Sequence, residues 1–353
     1  MDADAAGFAN RVQTWYQRYG RHHLPWQQED AYRVWLAEIM LQQTQVKTVI
    51  PYFNRFIERF PDTGSLAAAG NDDVLALWSG LGYYARARNL LKTAQLCVTQ
   101  HAADLPDTPA ALAALPGIGE STANAIFSQA YDQPAVVLDG NVKRVLSRHE
   151  AVDGWPGKAS VHRHLWQKAE GLLPHHRGAD YTQAIMDLGA TLCTRSRPVC
   201  THCPVQIDCK AHKQNRVTDF PASRPKIKIT EKSFQMLIIK DAEGRVLLER
   251  RPPAGIWGGL WSLPADDNGE TLNQRLSIKC NQLKTLPDLH HQLTHIRMTI
   301  TPLIGEVKHL KNGVECNPAQ DWFAQDKWVN LGLPKPVRQL LEQHMNLSHE
   351  DCE

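Results

Sequence analysis

Four cysteines, Cys193, Cys200, Cys203 and Cys209, crowd into one stretch with the spacing C-x6-C-x2-C-x5-C. Thiols this close together serve metal binding, whereas a disulfide framework spreads its pairs through a small secreted domain. Zinc sites usually show two close pairs split by a longer loop, so this spacing favours a cubane iron–sulfur cluster, with zinc as the alternative. Upstream, Leu115-Pro116-Gly117-Ile118-Gly119-Glu120-Ser121-Thr122 reads as a helix end, a glycine turn and a new helix. Backbone N–H groups freed by such a turn at a helix N-terminus form an anion site suited to phosphate; a glycine-capped helix connection is the structural alternative. Asp139 sits between the apolar run Val136-Val137-Leu138 and Gly140-Asn141. That is a good N-cap position, and the helix it opens would favour the ionised carboxylate. Glu38 has Val34, Trp35, Leu41 and Gln42 at helical neighbour spacing. Partial desolvation there would raise its pKa; an ordinary exposed helix glutamate is the alternative.

These groups need a scaffold, and the first two hundred residues supply helical periodicity. Phe8, Val12, Trp15, Tyr16 and Tyr19 recur at helical spacing, as do Tyr32, Leu36, Ile39 and Met40, then Val49, Ile50, Phe53, Phe56 and Ile57. Further helices are predicted over 85–101, 122–130, 141–149, 159–173 and 181–193. Residues 215–232 are polar and basic, with Pro221 and Pro225, and read as an extended linker. Beyond it, 233–240 and 245–251 are predicted strands joined by the hairpin signal Asp241-Ala242-Glu243-Gly244, followed by a strand over 295–303 and a helix over 336–344. The expected architecture is mainly α: a helical domain over 1–214, a linker over 215–232 and a smaller α+β domain over 233–353.

A chain of 353 residues suits two domains. Its net charge of +2 makes it no polycation, so any nucleic-acid contact must come from local basic patches. No window approaches the ~18 uninterrupted apolar residues of a membrane span. The N-terminal Met1-Asp2-Ala3-Asp4 lacks a signal-peptide pattern, so a cytoplasmic protein without a membrane role is expected.

The pattern Leu-Pro-Gly-x-Gly-x-x-Thr-Ala-x-Ala-Ile from Leu115 to Ile126 resembles the helix-hairpin-helix of base-excision DNA glycosylases related to endonuclease III, and the cysteine spacing resembles that family's 4Fe–4S loop. Glu38-Ile39-Met40-Leu41-Gln42-Gln43-Thr44-Gln45-Val46 is more specific. With Gly80-Leu81-Gly82-Tyr83-Tyr84-Ala85-Arg86-Ala87-Arg88, Trp155-Pro156-Gly157-Lys158 and Arg251-Pro252-Pro253-Ala254-Gly255-Ile256-Trp257-Gly258-Gly259-Leu260-Trp261, it resembles the A/G-mismatch adenine DNA glycosylases, the MutY family. The likeness runs in order through most of the chain.

That resemblance implies a helix-hairpin-helix domain with a 4Fe–4S cluster on Cys193, Cys200, Cys203 and Cys209, followed by a Nudix-like domain. The implied activity is removal of adenine opposite 8-oxoguanine or guanine in double-stranded DNA, by a monomer. Protonating a departing purine calls for a carboxylic acid kept neutral near pH 7. Glu38 is implied as that acid, Asp139 as the carboxylate facing the sugar, and Tyr83 and Asn141 as groups positioning the sugar and carboxylates, with Tyr83 also inserting beside the lesion. Leu41, Gln42, Gln43 and Val46 match the family's pocket and wedge residues. Trp26 is expected to border the adenine pocket or to be core. Gly117, Gly119, Thr122, Lys143, Arg195 and Arg197 are expected along the DNA backbone.

Two departures sharpen the expectation. Related bifunctional glycosylases carry a lysine nucleophile where this chain has Ser121, which without an activating base forms no Schiff base. A base-releasing enzyme without robust strand cleavage follows. The family commonly has Phe-Ser-His where this chain has Leu293-Thr294-His295; Thr294 keeps a hydroxyl, while Leu293 loses an aromatic face, so weaker lesion discrimination is expected there. No glutamate-rich Nudix metal box is present, so the second domain is expected to recognise rather than hydrolyse. The competing readings are an endonuclease III-like or thymine-mismatch glycosylase, and a non-enzymatic iron–sulfur DNA-binding protein.

Overall fold

The computed structural model describes residues 3–27, 29–225, 229–266, 281–307 and 319–345. The chain divides into two compact units, residues 1–68 with 89–225, and residues 69–88 with 226–353.

The first unit is helical. Asp30 caps the helix Ala31–Leu41 by accepting from the Arg33 N–H at 2.9 Å, and Asp62 and Ser65 cap Thr63–Ala67 reciprocally. Apolar positions repeat every three to four residues, so each helix buries a stripe. Phe8, Val12 and Tyr16 of Ala3–Tyr19 pack with Val142, Val145 and Leu146 of Gly140–His149 and with Tyr181, Ile185 and Leu188. Trp35, Leu36 and Met40 are fully buried. Tyr19 departs from its periodic group: it ends the first helix and is 71% exposed. The segment predicted as one helix over 181–193 is an α-helix, Gly178–Asp187, continued by a single π-turn, Leu188–Leu192. A Cβ on Gly189 in that turn would lie 2.7 Å from the Cβ of Asn141, so glycine lets the turn press against the start of Gly140–His149.

The second unit is built on a sheet with eight strands among the described residues: β1 Thr230–Lys240, β2 Val246–Arg250, β3 Trp261–Ser262, β4 Ala265–Asp266, β5 Asn281–Thr285, β6 Leu289–Gln292, β7 Ile296–Glu306 and β8 Gln320–Phe323. The main order is β3-β2-β1-β7-β5, with β4 on β1, β6 on β7 and β8 on β2. Only β1 and β7 pair in parallel, from Thr230 opposite Ile296 to Lys240 opposite Glu306. Alternation divides β1 between two cores. Met236 and Ile238 join Trp328, Val337, Leu340 and Leu341, most of them from the helix Lys335–Met345, whereas Leu237 and Ile239 join Leu247 and Leu303. β1 begins at Thr230, inside the stretch read as linker, because the parallel ladder with β7 already holds it there. Leu293 N–H donates to the Ile296 carbonyl at 2.8 Å, leaving Thr294 and His295 as the exposed two-residue tip of the β6–β7 hairpin. No helix among the described residues is long and apolar enough to cross a membrane.

Candidate active site

In the first unit, an open cleft of about 1970 Å³ gathers most of the chemistry-bearing residues. Trp26, Glu38, Leu41, Gln42, Gln43, Val46, Gly119, Ser121, Thr122, Asp139, Asn141 and Arg195 all line it. Gly117 and Lys143 belong to the same helices and turns without lining the cleft, and Arg197 is exposed beyond it. Trp26 is 2% exposed, packed edge-on to Phe53 at 5.3 Å, and also part of the cleft wall.

Glu38 projects from the one polar position in an otherwise apolar stretch of Ala31–Leu41. Its Oε1 accepts from Gln129 Nε2 at 2.8 Å. Burial pushes its carboxyl up to about 7, and the nearby Asp139 charge adds to the rise, while the Gln129 bond opposes it. Asp139 caps Gly140–His149: Oδ1 accepts from the Val142 N–H at 2.7 Å and Oδ2 from Asn141 Nδ2 at 3.1 Å. Burial raises the Asp139 carboxyl as well, against the lowering by those hydrogen bonds and by Arg144. The cap thus moderates the penalty of burying this carboxylate, rather than simply lowering its pKa as the helix-end argument alone suggests.

The loop after Glu38 turns sharply: Thr44 N–H donates to the Leu41 carbonyl at 3.1 Å, and Gln43 is exposed in the left-handed region at φ 59°. Gln42 Nε2 reaches the Gly117 carbonyl and Thr122 Oγ1, each at 3.5 Å, which links this loop to the glycine turn. The two glycines of that turn differ. Gly117 has φ 81°, and a Cβ would meet Asn89 at 2.9 Å, so the fold requires glycine. Gly119 has φ −88° as the N-cap of Glu120–Tyr131, with nothing within 4 Å of a Cβ. Ser121 Oγ accepts from the Leu138 N–H at 2.9 Å and so fastens the residue before Asp139.

Cys193, Cys200, Cys203 and Cys209 are free thiols around one apolar pocket of about 400 Å³. Among the described residues, no three His, Cys, Asp or Glu side chains close around a single ion. Two arginines of Gly140–His149 tie this loop down. Arg144 donates to Asn141 Oδ1 at 2.9 Å, the Gly189 carbonyl at 2.6 Å and the Cys193 carbonyl at 2.7 Å. Arg148, 2% exposed, donates to the Thr194 and Arg195 carbonyls and to Cys193 Sγ, and also to the Val217 and Phe220 carbonyls. Arg195 and Arg197 are left exposed on the loop surface.

In the second unit, Tyr83 is 47% exposed at φ 49°, and its hydroxyl lies 3.0 Å from Thr294 Oγ1. His295 beside it is exposed, and its carbonyl accepts from the Thr230 N–H. Sequence reasoning missed Gln129, Arg148 and the pair Arg21–Asp187. Arg21 lines the cleft and binds the buried Asp187 through its backbone N–H at 2.7 Å and its guanidinium, with Gln183 on the same carboxylate at 2.7 Å. Gln129 had a signal, lying eight residues after Ser121 and four after Ala125, both of which line the cleft on that helix. The others had none, since their partners lie far off in the chain.

Residues 36–170 match the family described as HhH-GPD superfamily base excision DNA repair protein, and residues 235–343 match the NUDIX domain. An adenine DNA glycosylase of Buchnera aphidicola (subspecies Schizaphis graminum) is 36% identical, with 95% of this chain and 98% of that protein covered. The adenine DNA glycosylase of Homo sapiens is 31% identical over 99% of this chain and 76% of its own length. Among solved structures, a thermostable thymine-DNA glycosylase covers 60% of this chain and 100% of its own, at TM-score 0.53 and 23% identity. A non-covalent endonuclease III–DNA complex covers 60% and 97% at TM-score 0.51 and 19% identity. These two likenesses show the helical fold alone. Its cleft holds Glu38 together with the helix-capping Asp139, and the extended match to adenine DNA glycosylases makes this chain a member of the adenine DNA glycosylase (MutY) family of base-excision repair hydrolases.

Proposed function

We propose that the chain hydrolyses the N-glycosidic bond of adenine paired with 8-oxoguanine or guanine in duplex DNA and leaves the abasic strand intact. The observation that carries this reading is the carboxyl pair: Glu38, pushed up to about 7, shares one cleft with Asp139. Glu38 gives its proton to the departing purine, so the leaving group is a neutral base. Asp139 faces the sugar as positive charge develops and stabilises it. Asn141 holds Asp139 Oδ2, and Glu38, now ionised, accepts a proton from the attacking water. The adenine must leave the stack to reach these groups. Trp26 and Leu41 wall its pocket, while Gln42, Gln43 and Val46 face the gap. Gln43 suits a probe of the opposing strand because its left-handed turn projects it, exposed, from the loop. Tyr83, Thr294 and His295 read the base opposite adenine.

Ser121 supports the intact-strand outcome. Its oxygen is engaged by the Leu138 N–H, and a hydroxyl forms no Schiff base with an opened sugar. A gel assay on duplexes carrying A opposite 8-oxoguanine tests the whole reading. Alkali-dependent cleavage at the adenine supports it. Release of a pyrimidine or thymine, alkali-independent cleavage matching base release, or binding alone would each reject it.

The cysteine pocket fits a 4Fe–4S cluster. It is apolar and lined by all four thiols, the soft donors that iron–sulfur clusters take. Cys193, Cys200, Cys203 and Cys209 would hold the cluster, which supplies a fixed core that shapes the loop presenting Arg195 and Arg197 to phosphates. Purified protein is expected to contain about four irons with a broad visible absorbance. Cys203→Ala should lose both, together with duplex affinity; one zinc per chain would reject the cluster.

The glycine turn yields a sharper expectation for the DNA backbone. Gly119→Ala fits the fold sterically, and its lower unfolded-state entropy offsets the poorer N-cap that alanine makes, so the melting temperature should change little. Alanine keeps the backbone N–H, but its methyl would stand in the open space before the turn and hold a phosphate away, so duplex affinity should drop about tenfold, the weakening of one charge-assisted hydrogen bond. Gly117→Ala should instead unfold at lower temperature. Binding titrations and melting curves on both variants decide the matter, and unchanged affinity for Gly119→Ala would remove this residue from the DNA interface.

A further inference from the structure

Asp72, in the first turn of the helix Asn71–Trp78, meets Arg250 at the end of β2 in a two-toothed fork. Arg250 Nη1 donates to Oδ1 at 2.8 Å and Nη2 to Oδ2 at 2.5 Å. Trp261 Nε1 donates to the same Oδ2 at 3.4 Å, and the Arg250 guanidinium lies over the Trp261 ring, 4.6 Å from its centroid. The turn that follows this helix is tied to it from within: Trp78 Nε1 donates to the Gly82 carbonyl at 3.1 Å, and Arg86 Nη2 donates to the Leu81 and Gly82 carbonyls at 3.2 and 3.1 Å. Gly80, Gly82 and Tyr83 all have positive φ, at 100°, 73° and 49°. The turn therefore moves with its helix, and besides Arg88, which donates to the Gly258 carbonyl, two anchors set it against the sheet. One is the fork, seconded by Ser79 Oγ donating to the Leu333 carbonyl at 3.3 Å. The other is the Tyr83 hydroxyl against Thr294, 3.0 Å away on the β6–β7 hairpin of the same sheet.

We infer that Asp72 and Arg250 are positioning residues for Tyr83: the fork sets the turn so that Tyr83 meets Thr294, and thereby sharpens discrimination of the base opposite adenine. This rests on the proposed reading of Tyr83 and Thr294 as contacts to that base. Stability is not the fork's main contribution. The two side chains are 32% and 41% exposed, and exposed ion pairs contribute little to stability. Bidentate geometry on an aromatic floor instead fixes direction, which a flexible pair does not.

The test uses the full chain with Arg250→Met, which keeps an apolar stem over Trp261, and Asp72→Asn, which breaks the fork from the other side. Single-turnover adenine release is compared for A opposite 8-oxoguanine and A opposite guanine. Each variant is expected to lower the ratio of the two rates about fivefold with a nearly unchanged melting temperature. The double variant should be no worse than either single one. Thr294→Ala added to Arg250→Met should lower the ratio no further than Thr294→Ala alone. Amide hydrogen exchange over residues 79–86 should quicken in both variants while the helix Ala31–Leu41 is unaffected. An unchanged ratio, or losses that multiply, would overturn the inference. Were the unmodified protein to show no preference for 8-oxoguanine, the base-reading role would fall by itself. Exchange over 79–86 then judges the positioning claim separately, and unchanged exchange would overturn that too.

Discussion

Glu38→Gln is expected to slow single-turnover adenine release about a thousandfold while leaving the fold intact. The amide keeps an oxygen able to accept the Gln129 bond, so the side chain keeps its place and loses only its proton. The pH profile separates this cause from a packing defect. The protonated carboxyl does the work, so the rate of the unmodified protein should fall as pH rises through about 7. The variant should lack that limb and show only its low residual rate. The substitution that lowers the rate should raise stability at neutral and higher pH. The folded carboxyl is raised from 4.5 to about 7, so the folded state binds the proton more tightly than the unfolded chain. Folding stability therefore falls as pH rises from about 4.5 to about 7 and then levels. Glutamine removes this loss, so the variant should gain denaturant resistance over the unmodified protein at pH 8 and little at pH 4. Full adenine release by Glu38→Gln would remove Glu38 from the acid role.

Asp139→Asn carries the second large effect, about a hundredfold or more in the rate of base release. Asparagine is nearly as good an N-cap, and its oxygen can still accept from the Val142 N–H, so the helix Gly140–His149 should persist. What disappears is the charge, and the amide nitrogen is set against the Asn141 Nδ2 donor that Oδ2 now accepts. Asp139→Ala serves as the control. It loses the cap too, so it should melt lower by an amount worth about 1 kcal/mol, while slowing the reaction to a similar degree. The two carboxyls are also linked. The Asp139 charge is one cause of the rise at Glu38, so removing it should lower the Glu38 pKa and move the alkaline limb of the residual activity to lower pH. Rates over a pH series in Asp139→Asn check this, and an unmoved limb would show that the two groups do not sense each other.

Much of this site was legible because its signals are local. An apolar helix with one carboxylate, a capping aspartate after an apolar run, a Gly-x-Gly turn and four clustered cysteines each need only a dozen residues of context. The helices over 85–101, 122–130 and 141–149 ended within two residues of Ala85–Gln100, Glu120–Tyr131 and Gly140–His149, since caps and periodicity fix them. What was not legible depends on distant partners. Nothing near Arg148 in the chain tells that its donors are taken by Thr194, Arg195, Val217 and Phe220 rather than by DNA. Periodicity also cannot reveal that Asn71–Trp78, helical like its neighbours, belongs with the C-terminal sheet, because its partner is an arginine 178 residues later. The balance of forces at Asp139 was half legible: the cap could be read from sequence, whereas the opposing burial required the cleft.

The attachment of residues 69–88 to the C-terminal sheet also has a history in time. Their partners emerge late in synthesis: Arg250 follows Asp72 by 178 residues, Gly258 follows Arg88 by 170, and Leu333 follows Ser79 by 254. At about 5–20 residues per second, that helix and turn wait about 10–50 s on the ribosome before their anchors exist. The β1–β7 pairing adds a shorter delay of the same kind, because a parallel ladder cannot close until β7 has been made. A nascent chain halted before residue 250 would thus carry a finished helical unit with one early segment still unanchored. Where translation pauses, this is where a protease or a chaperone would find purchase.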